Sequence, residues 1–504
     1  MAVMYYGKKR APVGVTVLAL SVLLAGCAGS AVRSYDGEMK DTVADVRAGD
    51  VAGALARLEG NAPKTEATQA DDPTGGRDIL YFFEKGQLLR LNNEIEQSRD
   101  AWLQADEVVR IWEDAYKKDP TQVISEVGAF LVNDKVRRYD GQDYEKVFLS
   151  ANLALDHVLL DDVQSARIEM KKTFEREKLI ESFREKEYDK IKEEGSKQGV
   201  LFKLDDLAKK GYPVAELEDQ EVVSLKNGYQ NAFAHYLAGY FFEVKGEKSL
   251  ADPGYRNALE LRPGSRLIKE KVGNVGKVKP GPNQADVLFV IESGFAPSWK
   301  SHTVPLPLPI NKEVVIVPLS FPTVVPDARV YVPSFLNVAG KTLPVETLVN
   351  VDALARRQLK DQLPGIIGRT AIRGILKGAL QYEATKKGGK LAGALTAIGT
   401  TYTEQADERS WRTLPARISI ARAILPVGEQ TVTFDSGYGV YSGTITVDGK
   451  MAIIPVRLVN GYAYIGQRNV IGTFKASPQP VEEKATAPAK AEPESKGFSL
   501  PKFR

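Results

Sequence analysis

The chain has 504 residues, with 68 Lys and Arg against 65 Asp and Glu, one cysteine and three histidines. Charge this nearly balanced excludes a global electrostatic pull toward nucleic acid, and a lone cysteine excludes an internal disulfide. The length leaves room for two or three domains of ~100–200 residues each.

The chain opens with Lys8, Lys9 and Arg10, followed by an apolar run from Val13 to Leu24. That run is shorter than the ~20 apolar residues a membrane-spanning helix needs and has the layout of an export signal. It ends in Leu24-Ala25-Gly26-Cys27, which resembles a bacterial lipobox. Cleavage of residues 1–26 would leave Cys27 to carry a diacylglycerol and further acyl chains of the palmitate type. Each buried CH₂ adds about 0.8 kcal/mol to such an anchor. Ala28 rather than Asp follows the cysteine, so the expected location is the outer membrane, lipid-anchored and facing the periplasm. With its thiol acylated, the mature chain would have no free cysteine.

From Tyr35 to about Pro263 the apolar spacing is helical, and residues 27–271 are expected to form an irregular tetratricopeptide-like α-helical array. The clearest unit starts at Ala232. Gly239, Ala251 and Ala258 then take the small positions 8, 20 and 27, and Phe242 and Tyr255 the aromatic positions 11 and 24. Pro253-Gly254 inside its second helix predicts a late start or a kink. Weaker units start at Ile79 and Val147, "RAGDVAGALARL" fits part of another, and Asp119-Pro120 breaks the unit between the first two. The charged stretch 175–199 reads as an insertion, either a solvated protruding helix or a partner site. Stacked helix pairs make a concave surface. The template places Phe233, Tyr236, Tyr240 and Glu243 on it in one unit, and Leu80, Phe83, Gln87 and Arg90 in another. Tyrosines and an arginine suit a periplasmic or envelope protein partner. The alternative is that the aromatics pack against a neighbouring helix or the second domain.

"VGNVGKVKPGPNQ", residues 272–284, is the predicted linker. Beyond it, 285–475 reads as a β-rich domain with an inserted Gly/Ala-rich helical segment at about 353–409, making the whole an α+β multidomain chain. Predicted strands are "ADVLFVIESG", "KEVVIVPLSF", "ARVYVPSF", "KTLPVETLVNV", "RISIARAIL", "QTVTFDS", "GTITV", "MAIIPVRLV" and "YAYIGQ". The insertion carries Arg369, Arg373 and Lys377 among glycines and alanines. It reads either as close packing on the sheet or, over 364–400, as a surface for membrane contact or self-association, which would make the chain a secretion accessory. Glu404, Asp407, Arg409 and Trp411 cluster where helix gives way to strand, as a structural pin or a ligand site. Residues 476–504 are rich in Pro, Ala, Glu and Lys and are expected to be disordered.

His157, His235 and His302 are scattered, and no nucleophile, metal or nucleotide motif is present. The expectation is a non-enzyme with no catalytic residues, no metal and no cofactor. Three stretches carry a family resemblance: "YDGQDYEKVFLSANLALDHVLLDD" (139–162), "NAFAHYLAGYFFEVKGE" (231–247) and "TEQADERSWRTLPARISIARAILPVGEQTV" (403–432). On them the chain resembles an uncharacterised family of bacterial tetratricopeptide-like outer-membrane lipoproteins. The resemblance brings no activity with it. It implies company with lipoproteins that activate peptidoglycan synthases, and so a scaffold or adaptor role in cell-envelope assembly. The helix-breaking "LADPGYRNALEL" and the lysine-rich tail depart from the family.

Overall fold

The computed structural model describes residues 35–61, 77–128, 139–197, 207–310, 313–375, 405–466, 468–469 and 477–479. Residues 1–26, Cys27, Lys377, Glu404 and the glycine-rich stretch beyond 375 lie outside them. Helices fill the first half and strands the second. None of the described helices is long and apolar enough to cross a membrane.

Four antiparallel helix pairs organise the first half: α1 (Tyr35–Arg47) with α2 (Val51–Asn61), α3 (Ile79–Leu91) with α4 (Ile95–Lys118), α6 (Asp143–Leu159) with α7 (Val163–Lys197), and α9 (Ala232–Val244) with α10 (Lys248–Leu261). Each pair turns through three residues, and the middle one is left-handed every time: Gly49, Asn93, Asp161 and Gly246. Gly, Asn and Asp are the residues that tolerate this conformation. An acid follows in each case (Asp50, Glu94, Asp162, Glu247), and Asp50 and Asp162 accept hydrogen bonds from the next helix's first turn at Gly53 N and Ser165 N.

Small-against-large packing closes the pairs where the repeat spacing anticipates it. A Cβ on Gly86 would run into the Trp102 indole, and one on Gly239 would stand 2.8 Å from the Tyr255 ring. Pro253 neither delays nor ends α10, which runs from Lys248 to Leu261. Proline there removes only one early helical bond, and Gly254 lets the backbones of α9 and α10 touch, its Cβ position being 2.7 Å from Gly239 N. Asp119-Pro120 starts the short α5 (Pro120–Gly128), with Pro120 at the first helical position, where its missing N–H costs nothing. Two further short helices are α8 (Gln220–Val223) and α11 (Arg266–Lys271).

Of the two readings of 175–199, the solvated protruding helix is corrected. The charged stretch continues α7, a single 35-residue helix that buries Arg176, Ile180, Phe183, Glu187 and Ile191 along one stripe. Its polarity misleads because the buried arginine is fully paired. Arg176 donates to Glu113 Oε1 at 2.6 Å, Asp106 Oδ1 at 2.9 Å and Ser150 Oγ at 2.7 Å.

In the second half, β1 (Gln284–Ser293) is central, parallel to β10 (Met451–Val459) and antiparallel to β7 (Arg417–Pro426). The sheet continues through β11 (Tyr462–Ile465) to β13 (Ser477–Gln479) on one side and β6 (Glu346–Asn350) on the other, with β12 (Arg468–Asn469) also on β10. The tail expected to be wholly disordered therefore contributes a strand. A second sheet, β5 (Lys341–Pro344), β4 (Phe335–Val338), β8 (Gly428–Asp435) and β9 (Val440–Val447), packs on one face of the first. Val287, Phe289, Ile454 and Val456 point into that sandwich, while Leu288, Val290, Ile453 and Val459 join the helices' core. This second core runs unbroken from Met39 to Tyr464. The two halves are thus one packed body in three layers.

A hairpin of β2 (Ser298–Ile310) and β3 (Glu313–Val325) extends from it through thirteen paired positions. "ARVYVPSF" is no strand until Phe335, whereas β2 is one despite Pro305, Pro307 and Pro309. Those prolines and Pro318 and Pro322 all fall in alternate pairs of one parity. There an antiparallel residue directs its N–H away from its partner, so the ladder loses nothing.

From the helical insertion, α12 (351–375) is described. It approaches α7 at Ile191, which stands 2.8 Å from a Cβ on Gly368, and the hairpin at Leu308, 2.7 Å from one on Gly374.

Candidate functional site

The concave face expected to hold a partner is occupied by the chain's own sheet. Phe233, Tyr236, Tyr240 and Glu243 on α9, and Gln87 and Arg90 on α3, are all buried. Tyr240 donates its hydroxyl to the carbonyls of Asp286 (2.7 Å) and Ala452 (3.1 Å), on β1 and β10. Arg422 on β7 is the hub beside it. It grips Asp286 through both carboxylate oxygens (2.8 and 2.6 Å), donates to Glu243 Oε2 at 2.8 Å and to the Tyr255 hydroxyl at 2.7 Å, and lies over the Tyr240 ring. Burial would raise the Glu243 carboxyl, but Arg422, the Gly276 N–H and the Tyr255 hydroxyl outweigh it and bring its pKa to about 2. Arg90 reaches Glu292 on β1 at 2.5 Å. These groups attach the array to the sheet, and a partner would have to displace the sheet to reach them.

The Asp407–Trp411 cluster belongs to the same attachment. Trp411 is fully buried, stacked on Phe83 at 4.6 Å and edge-on to Trp102 at 5.9 Å. Two carboxylates from the array hold the backbone on either side of it. Glu145 accepts from Trp411 N (2.6 Å), Gln142 N and the Tyr139 hydroxyl. Glu84 accepts from Arg412 N (2.6 Å), Thr413 N (2.9 Å) and the Tyr35 hydroxyl. Burial raises both, Glu145 to about 7 against those donors. Arg409 pairs with its own neighbour Asp407 at 2.7 Å. Of the two readings of this cluster, these contacts are those of a pin.

An open concavity lies elsewhere, between α7 and α12. It has two chambers of about 190 and 150 Å³. Arg184, Glu187, Gln362 and Arg369 line both and form the wall between them. Arg184 grips Asp143 at 2.6 and 2.9 Å and reaches Glu187 at 2.6 Å, and Arg369 takes the other oxygen of Glu187 at 2.9 Å. Burial would raise the Glu187 carboxyl, and the two guanidinium groups outweigh it, leaving its pKa low. Trp112, Phe183 and Trp299 line the smaller chamber, with the Lys146 ammonium 4.1 Å from the Trp112 ring centre. Tyr188 and Tyr229 line the larger, and Tyr188 is 46% exposed.

Two cations expected to face a membrane or a second copy have intramolecular roles: Arg369 holds this wall, and Arg373 is buried, donating to Thr370 Oγ1 at 3.1 Å. One reading of 175–199 is a partner site, but its pairing with α12 into a cleft escaped the sequence reading. Its signal was the i, i+3 and i+4 recurrence of Ile180, Phe183, Glu187 and Ile191, masked by the lysines and glutamates between them. Among the described residues, no group of three or more His, Cys, Asp or Glu is placed to hold a metal ion. His235 bonds Glu177 at 3.0 Å and His157 bonds Asp162 at 3.1 Å.

No family model matches the chain, and no curated protein does. Among solved structures it is similar to a tetratricopeptide repeat protein from Parabacteroides merdae, at 12% identity over 48% of this chain and 98% of that one. The TM-score is 0.13, so the likeness carries no argument about fold or function.

Proposed function

We propose that this chain is a scaffold or adaptor of the cell envelope. Acylated Cys27 tethers it to the outer membrane on the periplasmic side, and its tetratricopeptide-like array is a rigid frame that offers a protein partner the cleft between α7 and α12. The observation that carries the reading is the cleft: two adjoining chambers edged by aromatic side chains and paired charges, on a body whose concave helical face is already filled. Concave surfaces of this size with aromatic walls and a few fixed polar groups suit the recognition of a side chain or a short segment.

In-cell photocrosslinking tests it. A probe in place of Tyr188 is expected to trap one envelope protein, while a probe at Gly60, exposed on α2, traps none. Identical adducts from both positions, or none from Tyr188, would sink the cleft as the partner site. The anchor is checked separately. Cys27→Ser is expected to move the protein from the membrane fraction to the soluble periplasm, and unchanged membrane partition would refute lipidation.

A further inference from the structure

At the seam between α3 and the sheet, a cavity of about 40 Å³ is lined by Gln87 and Arg90 from the helices and by Glu292, Arg457 and Tyr464 from the strands. That volume holds two or three water-sized particles. Arg457 and Tyr464 face each other across the β10–β11 ladder and are 4% and 7% exposed. Arg457 spends one nitrogen on the carbonyls of Gly294 (2.6 Å) and Thr413 (3.0 Å). Its Nε and Nη1, and the Tyr464 hydroxyl, are buried without a hydrogen-bond partner among the described residues. Buried polar groups ordinarily have partners, and charged ones pay most when they do not.

The charges around the cavity sharpen the point. Arg90 and Arg457 share Glu292, at 2.5 and 3.8 Å. The next carboxylate, Asp156, stands 3.8 Å from Arg90, and burial raises its pKa to about 7 against Arg90 and Ser98. Below that pH Glu292 is the one carboxylate the two guanidinium groups share, and Asp327, itself paired with Arg47, also acts on Arg457. Tyr464, raised by burial to about 12, stays a donor. An acceptor with a single negative charge would satisfy the Tyr464 hydroxyl together with one free edge of the Arg457 guanidinium.

We propose that this cavity binds a small monovalent anion of halide size, coordinated by Arg457 and Tyr464, which joins the helical array to the sheet. The acceptor oxygen of Gln87 is also unpartnered here, and an amide flip would turn its donor toward the anion.

Crystals of the full chain grown in sodium bromide and measured at the bromine edge provide the test, together with thermal unfolding in chloride against gluconate at equal ionic strength. The expected result is an anomalous peak within hydrogen-bond reach of Arg457 and Tyr464, and a saturable rise in Tm with chloride or bromide that gluconate does not give. Tyr464→Phe removes one donor without a change of shape and should raise the half-saturating chloride concentration about tenfold. Arg457→Gln should abolish the halide response. Water alone in the cavity, or equal stabilisation by gluconate, would overturn the proposal.

Discussion

The closed concave face and the open cleft are built from the same materials, aromatic rings and paired charges on helix surfaces, yet they end differently. On the concave face three of these groups find partners in the sheet. Tyr240 meets two strand carbonyls, Glu243 meets Arg422 and Arg90 meets Glu292. In the cleft, Arg184, Glu187 and Arg369 satisfy one another and leave chambers on both sides. A helix surface rich in aromatics and arginine therefore announces an interface, and only tertiary structure says whether the other side is the same chain.

The contrast breaks most sharply at Arg422. Arg422→Met would leave Glu243 and Asp286 buried beside one another without their shared counter-charge. Removing one member of a buried ion pair costs about 3–5 kcal/mol, so the unfolding free energy from urea titration should fall by that much. A loss below about 1 kcal/mol would mean that the array and sheet are not held together there. A smaller effect is expected where the array closes on itself. Gly86→Ala forces a methyl group into the Trp102 indole and should cost about 1–3 kcal/mol through overpacking. Gly60→Ala, with nothing within 4 Å of its Cβ, should instead stabilise by up to about 1 kcal/mol. Equal effects at the two glycines would refute the packing assigned to positions 8 and 24.

Gly86 and Gly239 mark how far the sequence could be read. The small-to-aromatic spacing of Gly86 with Trp102 and Gly239 with Tyr255 was legible because the contact lies within one helix pair and depends only on local register. A second local signal went unread: the left-handed residue and the acid after it at Gly49-Asp50, Asn93-Glu94, Asp161-Asp162 and Gly246-Glu247 mark all four helix turns. Strand β2 was hidden by its prolines, whose shared parity becomes meaningful only once the register with β3 is known. The closure of the concave face was illegible for a different reason. Periodicity shows that Phe233, Tyr236 and Tyr240 share a face, and the strands that cover it lie some forty residues or more further along, with nothing local to pair them.

The pin around Trp411 responds to pH. The native Glu145 carboxyl, raised to about 7, holds its proton over a range in which the unfolded chain, near the ordinary value of 4.5, has released it. Between those values the native state binds more protons, so stability falls as pH rises from 4.5 toward 7. Glu145→Gln removes this contribution and should make the decline shallower by at most about 1.4 kcal/mol per pH unit. Urea midpoints at pH 5, 6 and 7 would measure the change. Asp156, also near 7, keeps its share of the slope in that variant, and Asp156→Asn added to it should flatten the profile further. An unaltered slope would place the ionisation elsewhere.

The smallest stability effect is expected in the cleft, and it separates the two regions most cleanly. Tyr188 is half in solvent on α7, so Tyr188→Ser should change stability by less than about 0.5 kcal/mol while abolishing capture of the partner from a neighbouring probe at Tyr229. Tyr240→Phe should do the reverse. It loses a hydroxyl that joins α9 to β1 and β10, at a cost of about 1 kcal/mol, and leaves capture intact. If Tyr240→Phe lost the partner and Tyr188→Ser kept it, the concave face would have to be accessible in the cell. The helical array would then have to swing away from the sheet against the Arg422, Arg90 and Trp411 attachments, and destabilising any one of them should strengthen binding. That dependence of affinity on attachment has the opposite sign from the one a rigid frame predicts, which makes the paired tyrosines decisive between a fixed scaffold and one that opens.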